Sequence, residues 1–139
     1  MIDSTKFKKF EKSERSSFSY WYNHWKAFNM VAKELGIWKF RYIFHDIEKP
    51  WLMLILRNYQ KVQKWHREHN AHHLEYKKAK SKGYDYEAMV IDWECSRYTK
   101  LASSRTALEE INYKFNNYEF NVNTYYKLLT IAQKIGLKK

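Results

Sequence analysis

An all-α fold, a single compact bundle of about six helices, is the class this sequence predicts, and three observations predict it. The 139 residues include only three glycines and one proline, too little turn chemistry for a many-stranded β fold. Apolar residues make up 45% of the chain and aromatic residues 19%, which excludes a disordered class and supplies one domain with a core. Apolar positions also recur at helical spacing between serine, aspartate and asparagine residues of the kind that cap helices.

Taken in order, residues 1–15 are polar and basic. They read as an N-terminal arm, frayed or forming a short helix, ahead of a single helical domain over 16–139. Ser16 or Ser17 can cap a first helix running to about Leu35, with Gly36 placed to end it. The segment IWKFRYIFHDIEK follows and must stop near Lys49, because Pro50 disfavours helical geometry in the residue before it. Pro50 itself suits the first turn of a new helix, whose pattern runs to a break at Ser81–Gly83 and is long enough to bend. Asp85 then caps a helix to about Lys100. Ser103 or Ser104 starts ALEEINYKFNNY, and Asn121 or Asn123 opens a last helix that ends at Gly136.

Several classes fall away on composition. The longest uncharged apolar run, WLMLIL at 51–56, is far too short for a membrane span, so no membrane role is expected. The N-terminus has no apolar stretch of the signal-peptide kind, and a lone Cys95 cannot form an internal disulfide. A cytoplasmic setting is expected, or the host cytoplasm if the chain is phage-encoded. The net charge of +11, from 26 lysines and arginines against 15 acids, favours an anionic partner. A solvated lysine surface would read the same way. Apart from KKAKSK at 77–82 the basic residues are dispersed, so charge does not separate a phosphate pocket from a nucleic-acid groove.

Polar residues on apolar helix faces are more informative. Successive helical residues advance by about 100°, so His24 shares its face with Trp21, Phe28 and Val31 and points inward. A core histidine bonded to a carbonyl is the alternative to a ligand. Asp92 lies among Ala88, Met89, Cys95 and Ser96, and a buried carboxylate needs a cation, a donor network or a metal. An interhelical ion pair is the competing explanation. His45 and Asp46 end an apolar-aromatic segment at the Lys49–Pro50 break, where adjacent side chains can reach one point. In WHREHNAHHLEY, His66, Asn70 and His73 fall at i, i+4 and i+7, His69 lies on the edge of that face, and His72 diverges from it. Paired imidazoles on one helix suit a metal pocket, but a solvated polar stripe beside Arg67 and Lys77 is the simpler account of any one of them.

The order of these residues, His24, then His45–Asp46, then the 66–73 cluster, then Asp92, resembles the HD-domain superfamily of metal-dependent phosphohydrolases. HDIEK at 45–49 is similar to the HDxGK form of several branches, with Glu48 where glycine stands, and HHLEY at 72–76 to the later histidines of two-metal branches. A small helical family common in phages and bacteria resembles it further, with H, HD-x-x-K, H-x-x-x-N-x-HH and a DW dipeptide, here His24, HDIEK, HREHNAHH and Asp92–Trp93. The resemblance spans about residues 20 to 130 and rests on these spaced polar residues.

That resemblance implies an HD-like bundle with His24, His45, Asp46 and Asp92 as metal ligands. His66, His69, Asn70 and His73 would serve a second metal or the substrate, with His72 an alternative to His73. The cluster lies much closer to the HD doublet than in the longer two-metal enzymes, which favours one metal. Lys49 would touch substrate phosphate, with Arg67 and Arg97 as further phosphate-binding candidates, and Asp46, Lys49 and Asp92 would form the catalytic set. Mixed imidazole and carboxylate ligands suit Mn, Fe, Co or Zn, with Mg as a further candidate. The expected activity is hydrolysis of a nucleotide or other phosphate ester by a metal-activated water, as in a nucleotidase or phosphodiesterase.

A non-catalytic alternative is a basic helical protein that keeps an HD-like scaffold and binds nucleic acid or a regulatory partner. A metal held only for structure is a third reading. The expected partner is an anionic small molecule, foremost a nucleotide, with nucleic acid as the alternative and oligomerisation left open.

Overall fold

The computed structural model describes residues 4–7, 10, 12, 17–100 and 105–137. Among them are seven α-helices, two 3-10 turns and no strand, so the expected all-α bundle is present. The helices are α1 (Phe18–Glu34), α2 (Glu48–Leu56), α3 (Tyr59–His69), α4 (Ala79–Lys82), α5 (Tyr86–Thr99), α6 (Ala107–Asn116) and α7 (Val122–Lys134).

Side-chain caps start most of them, each satisfying a backbone donor that the helix cannot. Ser17 accepts from Tyr20 N, Asn58 from Lys61 N, Asp85 from Ala88 N, Thr106 from Glu109 N and Asn121 from Thr124 N. Gly36, at φ 71°, turns the chain out of α1, and Ile37 N then closes on Ala32 O at 3.0 Å.

α5 is the central helix. α1 packs along it on one side, and α6 and α7 on the other. Phe28 and Val31 of α1, Met89, Ile91 and Cys95 of α5, Ile111 of α6 and Leu128 of α7 are fully enclosed in this core. Of the two expectations for the arm, a short helical turn is found, at Ser4–Phe7, and Phe7 is buried with its ring 4.2 Å from that of Tyr98. Glu94 is buried as well, and its Oε2 accepts from Ala107 N at 2.8 Å, a carboxylate seated at the N-terminus of α6.

Three expectations need correction. The segment before Pro50 is not an α-helix but a 3-10 turn, Phe40–Phe44, after which α2 begins ahead of the proline. Pro50 occupies the first turn of α2, where its missing N–H costs nothing. The long helix from Pro50 is in fact two. Arg57 adopts a left-handed conformation, φ 51°, and Asn58 caps a fresh start. The second piece then ends at His69, so residues 70–78 form a loop, and the short α4 follows and ends at its C-cap Gly83, within the expected break. Thr106, not Ser103 or Ser104, caps α6; those two serines lie outside the described residues.

Candidate metal centre

Three separate pieces of chain converge between α1 and α5. His24 comes from the inner face of α1, Asp92 from α5 opposite, and His45 and Asp46 from the turn that links the 3-10 segment to α2. All four are buried. His24 Nε2 lies 2.7 Å from Asp92 Oδ1, and His45 Nε2 lies 3.2 Å from the same oxygen and 3.3 Å from His24 Nε2. Asp46 Oδ2 is 3.7 and 3.5 Å from those two ring nitrogens and 3.2 Å from Lys49 Nζ. The four residues offer ligand atoms all within 4.8 Å of one another.

His45 and Asp46 reach this point because the backbone is bent for it. Asp46 sits at φ 57°, a left-handed conformation that aspartate tolerates better than most residues. Its carbonyl accepts from Trp21 Nε1 at 2.8 Å, which ties the turn to α1. The His45 ring stacks on Phe28 at a centroid distance of 3.7 Å, so its orientation is set by the core.

A second donor group adjoins the first. His66 from α3, with His72 and His73 from the loop after it, also offers three ligand atoms within 4.8 Å. The two groups share Asp46, whose Oδ1 lies 3.0 Å from His66 Nε2 and 3.1 Å from His72 Nε2. Neither approach has the alignment of a hydrogen bond. Asp46 Oδ1 and the Nε2 atoms of His66, His72 and His73 are buried without a hydrogen-bonding partner among the described residues. Native interiors seldom leave one such atom unpaired, and four at one point is the pattern of ligands that share a cation. The donor set therefore fits a divalent metal.

Protonation states agree. Burial alone would raise the Asp46 carboxyl, but the charges of His45, His66 and Lys49 hold it well below the usual carboxylate range. Asp92 is likewise held low against its burial, by His24 and His45. Burial pushes His72 down, and burial together with the neighbouring His72 pushes His73 far down. Ionised carboxylates and neutral imidazoles are the ligating forms. His66 differs: burial lowers it, but Asp46 and then Glu48 outweigh that and raise it. His66 Nδ1 is hydrogen-bonded to Glu48, which also accepts from Asn70 Nδ2 at 3.0 Å. This carboxylate fixes which ring nitrogen faces the centre.

The expected site residues thus divide. His24, His45, Asp46 and Asp92 come together, with Lys49 beside them, and His66 and His73 come together next to them. Asn70 lies one step back, holding Glu48 and the carbonyl of His66. His69 does not join: it is exposed, stacked on Trp65 and bonded to the carbonyl of Trp65 at 2.7 Å. Arg97 does not join either. It is paired with Glu94 at 3.1 Å and lies over Tyr98, because five residues beyond Asp92 the helix has turned away. Arg67 does line the small cavity of about 50 Å³ over the centre, together with Lys49, His73, Asp92 and Lys100. Sequence reasoning misses the roles of Glu48 and Lys100 and offers His72 only as an alternative to His73, whereas both histidines join the group. His72 was judged on a helical wheel that ends three residues before it, and Glu48 was read only as a missing glycine.

The chain matches no family model, no curated protein and no solved structure. Its functional reading therefore rests on this buried histidine–aspartate centre, which can hold a metal. No helix among the described residues is long and apolar enough to cross a membrane.

Proposed function

We propose that the protein is a metal-dependent phosphohydrolase of the HD type, acting on a nucleotide or another anionic phosphate ester. The observation that carries the proposal is the buried convergence of two imidazoles and two carboxylates beside three further imidazoles, under a small cavity rimmed by cations. His24, His45, Asp46 and Asp92 would hold the first ion, and His66, His72 and His73, with Asp46 between the groups, a second. A divalent ion of the Mn, Fe, Co, Zn or Mg kind supplies Lewis acidity toward phosphoryl oxygen and makes water more acidic.

The remaining work falls to the chain's own groups. Lys49, Arg67 and Lys100 line the cavity where a phosphoryl group would sit and offset the charge of its equatorial oxygens. Glu48 and Asn70 keep the His66 ring in one orientation. Trp21 holds the Asp46 carbonyl, and with it the bend that aims both carboxylate oxygens, one at each donor group. The net charge of +11 raises the local concentration of anionic substrates.

The experiment is to load the purified protein with Mn and assay nucleotides, cyclic nucleotides and short oligonucleotides. Phosphate release or ester cleavage that EDTA abolishes is the expected result. Absence of turnover across the panel, in protein that also fails to retain metal, overturns the reading.

A further inference from the structure

α2 carries the most apolar stretch of the chain, WLMLIL, yet none of its residues is buried. Part of that surface faces a cavity of about 390 Å³ beside the metal centre, in the size range of small-molecule sites. Phe18 and Trp21 of α1, Pro50, Met53 and Leu54 of α2 and Val62 of α3 form its apolar walls. It reaches the centre through His24 and Lys49, which also line the small cationic cavity that holds Asp46, Asp92 and Arg67. Of the polar groups at its rim, Ser17 Oγ caps α1 and the Tyr59 hydroxyl accepts from Gln63 Nε2 at 2.5 Å, while Tyr20, His24 and Lys49 also line the small cavity over the centre.

We propose that this cavity seats the organic group of the phosphate ester as a flat aromatic or aliphatic body, held by stacking and apolar contact without hydrogen bonds to its edges. The proposal rests on the phosphohydrolase reading and narrows its substrate class. Trp21 links the two halves of the site, since it lines the apolar cavity while its Nε1 donates to the Asp46 carbonyl. An ester whose phosphoryl group meets Lys49 would thus place its first carbons at the shared His24–Lys49 wall and its ring against Trp21 and Met53. Aromatic alcohols of one or two rings fill such a space, and a nucleobase would enter without purine-over-pyrimidine selection. Discrimination among bases requires polar readers, and these walls are apolar.

The test compares methylphosphonate, 1-naphthylmethylphosphonate and neutral 1-naphthalenemethanol by calorimetry, using the protein loaded with Mn and its Met53→Trp variant. Met53 belongs to a helix with no buried residue, so the substitution fills the cavity without disturbing the core. The naphthyl phosphonate is expected to bind at least about tenfold tighter than methylphosphonate. Met53→Trp should erase that gain and leave methylphosphonate unchanged. Leu54→Gln, on the exposed rim, has the same expected effect and serves if the tryptophan variant does not fold. Equal affinities for the two phosphonates, or a gain that survives both substitutions, overturns the cavity assignment while the phosphohydrolase reading stands. Binding of naphthalenemethanol alone, with neither phosphonate bound, overturns the phosphohydrolase reading and the ester with it, and leaves an apolar ligand site.

Discussion

The two donor groups that meet at Asp46 are built differently. His24, His45, Asp46 and Asp92 bring two carboxylates of their own, stand on or beside the core helices α1 and α5, and partner one another directly, as in the 2.7 Å contact of His24 with Asp92. His66, His72 and His73 bring no carboxylate, stand on α3 and the loop after it, and leave three ring nitrogens without hydrogen bonds among the described residues. The first group is charged and set by the bundle. The second is neutral or cationic and draws its anions from outside the three histidines, from the shared Asp46 and from Glu48 behind His66. The difference implies an order of binding, with the first group as the tight site and the second filled afterwards.

Asp46→Asn tests both groups together and carries the largest expected effect. Asparagine tolerates the left-handed backbone at this position, so the fold is retained while the shared anion is lost. Turnover should fall by about a thousandfold or more, and elemental analysis should find neither ion. A variant that keeps both metals would mean that the two groups do not depend on Asp46.

Asp92→Ala separates the groups. It removes a ligand from the first alone and leaves His24 without its partner. Turnover is expected to drop by about a hundredfold or more, with loss of the tighter of two metal-binding steps in a titration. A protein that works as a basic nucleic-acid binder would instead keep its salt-sensitive binding after this change.

Glu48→Ala acts on the second group only, by releasing His66 Nδ1. The weaker binding step should shift by about 10- to 100-fold, while the tighter step stays where it was. A shift of the tighter step would contradict the division between the groups.

The smallest effect is on the pH dependence of the metal-free protein. His72 and His73 are held below the ordinary histidine value by burial, so the unfolded chain protonates there first as pH falls. Their contribution to stability is full above about pH 6.5 and declines below it. His66, raised above its ordinary value, works in the opposite sense: its contribution is full below that pH and is lost as pH rises through its folded value. Asp46 and Asp92, both depressed, add a loss only at more acidic pH. Below about pH 6.5 the His66 contribution is already complete while those of His72 and His73 are being lost, so the Tm in EDTA should fall between about pH 6.5 and 5.5. His73→Asn should reduce that fall.

The same division explains what could be read from the sequence. The first group was legible because His24 and Asp92 interrupt apolar faces of long, well-capped helices, where a wheel describes the real geometry. The second was legible only in part. A wheel drawn through residues 66–73 assumes a helix that stops at His69, so it included His69 and set His72 aside, whereas the turn beyond Asn70 brings His72 to Asp46. Arg97 offers only its charge as a signal, and its position on α5 directs it to Glu94. Glu48 could not be found from pattern at all, because its role comes from an eighteen-residue contact with His66 that only the fold creates. The split of α2 from α3 was hidden for a related reason: Arg57 bears no sequence mark of a left-handed residue.

The central claim, that the buried centre is a metal site, is tested most directly by anomalous scattering from crystals grown with Mn. The account predicts a strong peak bounded by Nε2 of His24 and His45 and by the carboxylates of Asp46 and Asp92, with a weaker second peak among His66, His72 and His73. A map with no peak at the first position, and His24 still hydrogen-bonded to Asp92, would contradict it.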